Sequence, residues 1–200
     1  WLATVTNHTI AVNHATNRHC VLFTTDTTDN ESSFLATPLC WEDDQNAVAE
    51  SRIKVTDVSA VCLYVGFSDA TFEATPDMPI DYSGGTLAAA ATNAVGIVMD
   101  GDDTVNGASS IVGVGVNGGT LETAIDSGTD WADGEWHTLR VELNPDGDAY
   151  FYLDGNAFGY MATAITSATA LCVIIAVANR GTAAETVYGD RVDAWQDEET

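Results

Sequence analysis

Apolar and polar residues of this chain fall into short β-rich runs, the clearest of which alternate with a period of two, and no window of roughly eleven residues keeps an i, i+3, i+4, i+7 apolar pattern behind a helix cap. A period of two puts alternate side chains on opposite faces of an extended backbone, so the pattern predicts strands and little helix. Thr4–Val12, Ala47–Val55, Val61–Phe67, Thr86–Ala91, Val95–Met99, Ser110–Val116, Trp136–Leu143, Ala149–Leu153, Asn156–Tyr160, Ala170–Ala178 and Thr186–Trp195 read as short strands. Turn clusters separate them: Ser83-Gly84-Gly85, Asp100-Gly101-Asp102-Asp103, Asn117-Gly118-Gly119, Pro145-Asp146-Gly147-Asp148 and Asp154-Gly155. Many short strands at this spacing predict an all-β, antiparallel sandwich.

Trp136 to Tyr160 carries two hairpins. Trp136, Thr138, Arg140 and Glu142 alternate with His137, Leu139, Val141 and Leu143, so one face is wet and the other apolar. Pro145-Asp146-Gly147 turns the chain, and Ala149, Phe151 and Leu153 then share a face opposite Tyr150 and Tyr152. Asp154-Gly155 is a two-residue hairpin signal of the type I′ kind, which completes a three-stranded meander. Leu171–Ala178 is apolar on both sides and belongs in the middle of a sheet with both faces covered. In Asn106–Thr120 the alternation of Gly113 and Gly115 leaves room for a bend or a close neighbour. The less regular residues 1–45 are set apart as an N-terminal arm expected to contact a partner, with residues 46–200 as the sandwich domain. Leu2, Val5, Ile10, Val21, Leu22 and Phe23 supply the arm's apolar surface.

Charge narrows the partners. The 200 residues hold six Lys and Arg against thirty Asp and Glu, a formal net charge of −24. Six scattered cations offer no basic patch for nucleic-acid phosphates or an anionic membrane. With 46% hydrophobic residues the chain can still bury a core, so it is not a disordered acidic tail. No apolar run approaches the roughly 20 residues of a membrane-spanning helix. The sequence opens at Trp1 without a signal-peptide pattern, and a processed or partial chain is expected. Cys20, Cys40, Cys62 and Cys172 form no C-x-x-C pair. Cys62 and Cys172 sit among aliphatic residues as small hydrophobes, while a Cys20–Cys40 bridge is left open.

The run W-H-T-L-R-V-E-L through F-Y-L-D-G resembles the penultimate hairpins of concanavalin A-like jelly rolls, the fold of laminin G domains, lectins and glucanases. A second likeness runs over residues 47–195. Ser51–Ala70, Met78-Pro79-Ile80, the Gly-Val-Gly-Val stretch from Gly113 and the final meander, in that order, resemble virion proteins of tailed bacteriophages. Together the resemblances imply a concanavalin A-like jelly roll acting as a capsid decoration, or cement, protein. It would be made in the host cytoplasm and sit on the outer surface of a phage head, with the major capsid protein and copies of itself as partners. The alternative they imply is a lectin-like, carbohydrate-binding module of a phage fibre or spike that recognises host glycans. A laminin G-like adhesion domain, stabilised by calcium, is a third reading.

Catalytic chemistry is not written in the chain. A glucanase of this fold would carry an alternating E-x-D-x-x-E that puts its acids on one strand face, and no such segment occurs. Glu42-Asp43-Asp44 and Asp197-Glu198-Glu199 lack the alternation and read as a solvated loop and tail. The expectation is a non-enzyme without cofactor or metal. Were a cation bound, Asp100, Asp102 and Asp103 would be its ligands, with Asp146 and Asp148 as a second set and His14, His19 and Cys20 as a soft one. His137 reads as a satisfied, partly buried imidazole. Tyr150, Tyr152, Tyr160 and Asn156 are the candidates for glycan or subunit contact, on the outer face of the meander. Trp1, Trp41, Trp131, Trp136 and Trp195 read as core or interface anchors.

Overall fold

The computed structural model describes residues 2–5, 8–13 and 20–197. Trp1, His14 and His19 lie outside the described residues. The strands are β1 (Leu2–Val5), β2 (Thr9–Asn13), β3 (Cys20–Thr24), β4 (Ser32–Ala36), β5 (Val48–Val55), β6 (Val61–Ser68), β7 (Ile80–Asp81), β8 (Ala88–Ala89), β9 (Ala94–Asp100), β10 (Ser110–Asn117), β11 (Thr120–Leu121), β12 (Ile125–Asp130), β13 (Trp136–Leu143), β14 (Ala149–Leu153), β15 (Asn156–Met161), β16 (Cys172–Asn179) and β17 (Thr186–Trp195). The first sheet runs β1-β4-β16-β6-β9-β10-β11, with β12 also on β10; the second runs β15-β14-β13-β5-β17-β3-β2. All these pairings are antiparallel, and the two sheets form a β-sandwich.

The core between them is built by alternation. Leu63, Val65, Phe67, Ile97, Met99, Val173, Ile175 and Val177 of the first sheet meet Phe23, Ile53, Val55, Leu139, Val141, Phe151 and Val187 of the second. Gly113 and Gly115 face this core. A Cβ on Gly113 would stand 2.8 Å from the Phe151 ring, and one on Gly115 would stand 2.5 Å from Met161 Sδ, so the bare backbone of β10 is what seats both side chains.

The first sheet is buried on its other face as well. Phe34, Tyr64, Val98, Val112, Val114, Ile174 and Ala176 lie beneath the segment 69–93, which contributes Met78, Ile80 and Tyr82. This cover explains the two-sided apolar run of β16, which sits between β4 and β6 with all eight residues buried. Arg180 fastens the cover. Its side chain, 1% exposed, reaches Asp100 of β9 with Nε–Oδ1 and Nη2–Oδ2 both at 2.9 Å, and Asp81 of β7 at 2.6 Å.

The meander keeps the expected strands and faces, and its register sets Leu139 opposite Leu153 and Val141 opposite Phe151. Asp154 (φ 52) and Gly155 (φ 81) make the turn with two positive φ angles, as type I′ demands. Two other expectations come out differently. Thr4–Val12 is one run in sequence but splits between β1 on the edge of the first sheet and β2 on the edge of the second. Thr86–Ala91 keeps only the two residues of β8, because it belongs to the cover and not to a long ladder. Residues 1–45 contribute strands to both sheets, with Phe23 and Phe34 fully buried.

Candidate functional site

The outer face of the second sheet is the wet face of the sandwich, and the even positions of β5 and β13 supply it. Successive rungs across β13, β5 and β17 read Trp136, Lys54 and Tyr188, then Thr138, Arg52 and Arg191, then Arg140, Glu50 and Asp193, then Glu142, Val48 and Trp195. At about 3.4 Å per residue the four rungs span roughly 20 Å. Of the six Lys and Arg in the sequence, Arg52, Lys54, Arg140 and Arg191 stand here, in a chain of charge −24.

Each cation lies against a ring, an acid or both. Lys54 Nζ is 4.1 Å from the Tyr188 ring centre and 5.3 Å from that of Trp136, which Arg52 also covers at 4.7 Å. Arg52 pairs with Asp190 at 2.6 Å, and Arg191 with Glu50 at 2.6 Å and with Asp193. Arg140 pairs with Glu142 and stands 5.3 Å from both the Tyr152 and the Trp195 ring centres. Its Nε is buried without a hydrogen-bond partner. Tyr152 donates its hydroxyl to Glu142 Oε2 at 3.1 Å; burial, then this acceptor, raises the phenol pKa.

The aromatic side chains are freest at the fourth rung. Trp195 is 42% exposed, Tyr160 50% and Tyr150 36%, and these are all the aromatics among the exposed large hydrophobics of the described residues. Tyr150 and Tyr160 face each other across β14 and β15, ring centres 5.1 Å apart. Tyr160 donates to Asp148 Oδ2 at 2.9 Å, which raises its pKa, while the Thr163 amide chiefly holds that of Asp148 down.

The structure thus brings Tyr150, Tyr152 and Tyr160 onto one surface and adds Trp195, Arg140 and Glu142. Asn156 does not join them: it lies at the β14–β15 turn, beside a hollow lined by Ser127, Thr129 and Asp154. The last strand brings Trp195 to this face through its pairing with β5, Trp195 opposite Val48, a contact between the two ends of the domain that strand patterning alone cannot locate. The two aromatics of β17, Tyr188 and Trp195, seven residues apart, are the signal that strand offers.

The acidic turns are occupied by the protein itself. Asp100 is wholly buried and accepts from Arg180, from the Tyr82 amide (2.8 Å) and from the Asp102 amide (3.0 Å). Burial alone would raise its pKa, but the Arg180 hydrogen bond and charge outweigh burial and lower it. Asp103 caps the Val105 and Asn106 amides at 2.8 and 2.9 Å, and Asp102 lies 3.8 Å from Arg180. These three carboxylates serve an ion pair and a turn and share no common centre. Glu42-Asp43-Asp44, expected as a solvated loop, instead buries Asp43 completely, with Oδ1 accepting from the Ala168 amide at 2.8 Å. His137 is half-buried, 2.7 Å from Asp154 Oδ2 and edge-on to the buried Trp131. All four cysteines are free; Cys20 is buried in β3 and Cys40 is exposed, so the open Cys20–Cys40 bridge is not formed. No helix among the described residues is long and apolar enough to cross a membrane.

No family model matches the chain, and no curated protein matches it. Solved structures do. The carbohydrate binding module CBM66 from Bacillus subtilis is similar over 96% of this chain and 94% of its own, with a TM-score of 0.55 at 13% identity. A glycoside hydrolase family 16 endo-glucanase from Bacteroides ovatus is similar over 93% and 85%, with a TM-score of 0.63 at 11% identity. The carbohydrate recognition domain of Emp46p is similar over 96% and 89%, with a TM-score of 0.61 at 11% identity. Near-complete coverage in both directions at so little identity is a likeness of fold, and the chain has the concanavalin A-like jelly-roll sandwich.

Proposed function

We propose that this chain is a carbohydrate-binding module and that its glycan lies across the fourth-rung end of the second sheet. The observation that carries the reading is the gathering of all the exposed large aromatics of the described residues, Tyr150, Tyr160 and Trp195, around the Arg140–Glu142 pair. A pyranose ring presents apolar C–H faces and a rim of hydroxyls. Aromatic rings accept the faces, and a carboxylate and a guanidinium fixed between them accept from and donate to the rim. The Arg140 side chain, 34% exposed, and the Glu142 carboxylate paired with it present a donor and an acceptor for such hydroxyls.

The likeness to a carbohydrate binding module and a carbohydrate recognition domain supports the same reading. The likeness to a glucanase is one of fold and does not extend the reading to hydrolysis, because no strand carries the alternating E-x-D-x-x-E that would set two acids on one face. None of the three structures above is a virion protein, and nothing specific in the fold favours capsid decoration. Carried on a phage fibre or spike, as the second sequence resemblance implies, the face would recognise host polysaccharide.

The test is a glycan array with the purified chain, followed by titration of the best ligand. Truncating an anchoring aromatic costs about 2 kcal/mol, so Trp195→Ala and Tyr150→Ala should each weaken binding roughly 30-fold while the far-UV circular dichroism stays unchanged. An array without signal, or affinity indifferent to both substitutions, refutes the proposal.

A further inference from the structure

His8 stands just ahead of β2, in the crossover that leaves the first sheet at β1 and enters the second at β2. The β3–β4 connection, which carries Asp26 and Glu31, crosses between the same sheets in the opposite direction. The three side chains converge there. One ligand-type atom from each, the imidazole nitrogen and two carboxylate oxygens, lies within 4.8 Å of the others.

The histidine is what distinguishes this cluster from a surface group of acids. Its side chain is 0% exposed. Nδ1 lies 3.0 Å from the hydroxyl of Ser33, which is itself fully buried in β4. A proton on Nδ1 donated to that hydroxyl leaves the lone pair on Nε2, and such a contact to the far ring nitrogen is how metal-binding imidazoles are oriented. Nε2 is buried with no hydrogen-bond partner, and it faces Asp26 Oδ1 at 3.8 Å, too far for a hydrogen bond. A buried polar nitrogen left unpaired is costly, and a cation between it and the carboxylates removes that cost.

We propose that His8, Asp26 and Glu31 bind a divalent first-row transition metal of the zinc class, which clips the two inter-sheet crossovers together. One nitrogen and two oxygens suit Zn²⁺ and its neighbours, whereas Ca²⁺ takes oxygen alone. Ligand atoms roughly 2.1 Å from a tetrahedral ion are roughly 3.4 Å apart, so the widest pair must close by about 1.4 Å. Asp26 and Glu31 are only partly buried and sit on a loop that can make that movement. Asp26 already accepts from the Thr28 amide at 2.8 Å and the Thr28 hydroxyl at 3.0 Å, which aims its carboxylate and leaves lone pairs on both oxygens. The site lies next to the start of β2, which is the edge of the second sheet opposite β15 and away from the aromatic surface.

Titrating Zn²⁺ into the full, chelator-stripped chain by calorimetry, with Ca²⁺ as the control ion, tests the assignment. One Zn²⁺ per chain is expected, with a melting temperature that rises with zinc concentration and does not respond to Ca²⁺. Glu31→Gln and Asp26→Asn should each weaken binding at least ~10-fold. Asn keeps an oxygen to accept from the Thr28 amide and can donate its NH2 to the Thr28 hydroxyl, so its effect is not one of misfolding. Ser33→Ala, which frees the imidazole, should weaken binding about 10-fold. Absence of Zn²⁺ binding, or one-to-one binding unchanged in Asp26→Asn and Glu31→Gln, overturns the assignment.

Discussion

Replacing Arg180 with Met keeps most of the side chain's bulk but withdraws the cation that joins β9, β7 and the start of the 180s loop. In the native protein Asp100, 0% exposed at the side chain, shares two 2.9 Å hydrogen bonds with the guanidinium. Asp81 takes a third at 2.6 Å, although burial keeps the pKa of this second carboxyl raised despite Arg180. In the variant Asp100 retains only the Tyr82 and Asp102 amides, and a buried charge stays without its partner. Breaking a buried pair in this way costs about 3–5 kcal/mol. For a domain near 200 residues each kcal/mol moves the melting temperature by roughly 2–4 °C, so a drop of roughly 6–20 °C is expected. Differential scanning calorimetry at pH 7 reads it directly. The pH dependence has a definite sign. With Arg180 present the Asp100 pKa is lowered, so its contribution is complete above the ordinary aspartate value and is lost only as pH falls through the folded value. Without Arg180 burial raises that pKa, and the penalty grows as pH rises above the ordinary value. The gap between variant and wild type must therefore narrow from about pH 7 to about pH 5, a range still above the pI of about 4.1. Asp100→Asn added to Arg180→Met should restore more than half of the loss. A melting temperature within about 2 °C of wild type at pH 7, or a loss that Asp100→Asn deepens, would refute the argument that the ion pair holds the cover.

Two further outcomes follow from packing. Gly66 and Gly96 lie opposite each other on β6 and β9, and a Cβ on Gly66 would stand 2.2 Å from the Val95 carbonyl oxygen. Backbone cannot step aside as a side-chain tip does, so Gly66→Ala should lower stability by at least about 1–3 kcal/mol in urea denaturation, and an unchanged midpoint would count against this packing. Deleting residues 1–41 removes strands from both sheets together with the buried Phe23 and Phe34, and should leave a chain that fails to unfold cooperatively; a sharp two-state transition in the truncated chain would show that the remaining strands suffice.

The alternation of Trp136–Leu143 and Ala149–Leu153 determined strand, face and turn by itself, because a period of two and an Asp-Gly turn act between residues that are near neighbours in the chain. Leu171–Ala178 likewise declared its two covered faces, since eight apolar residues in a row leave no side for water. The same local signals placed Tyr150, Tyr152 and Tyr160 on a wet face. They could not say what else stands there. Trp195 arrives through the pairing of β17 with β5, the cations collect because three distant strands lie side by side, and Asn156 stands apart because it opens β15 opposite Leu153, at the far end of the meander from Tyr150 and Tyr160. Asp100, an acid in a turn by its sequence, becomes a buried ion-pair partner only because Arg180 comes to it from 80 residues away. His8, Asp26 and Glu31 meet for the same kind of reason, where two crossovers pass the same end of the sandwich. Periodicity is a property of neighbours along the chain, whereas a binding face or an ion site is a property of neighbours in space, and only the closing of the two sheets decides who those are.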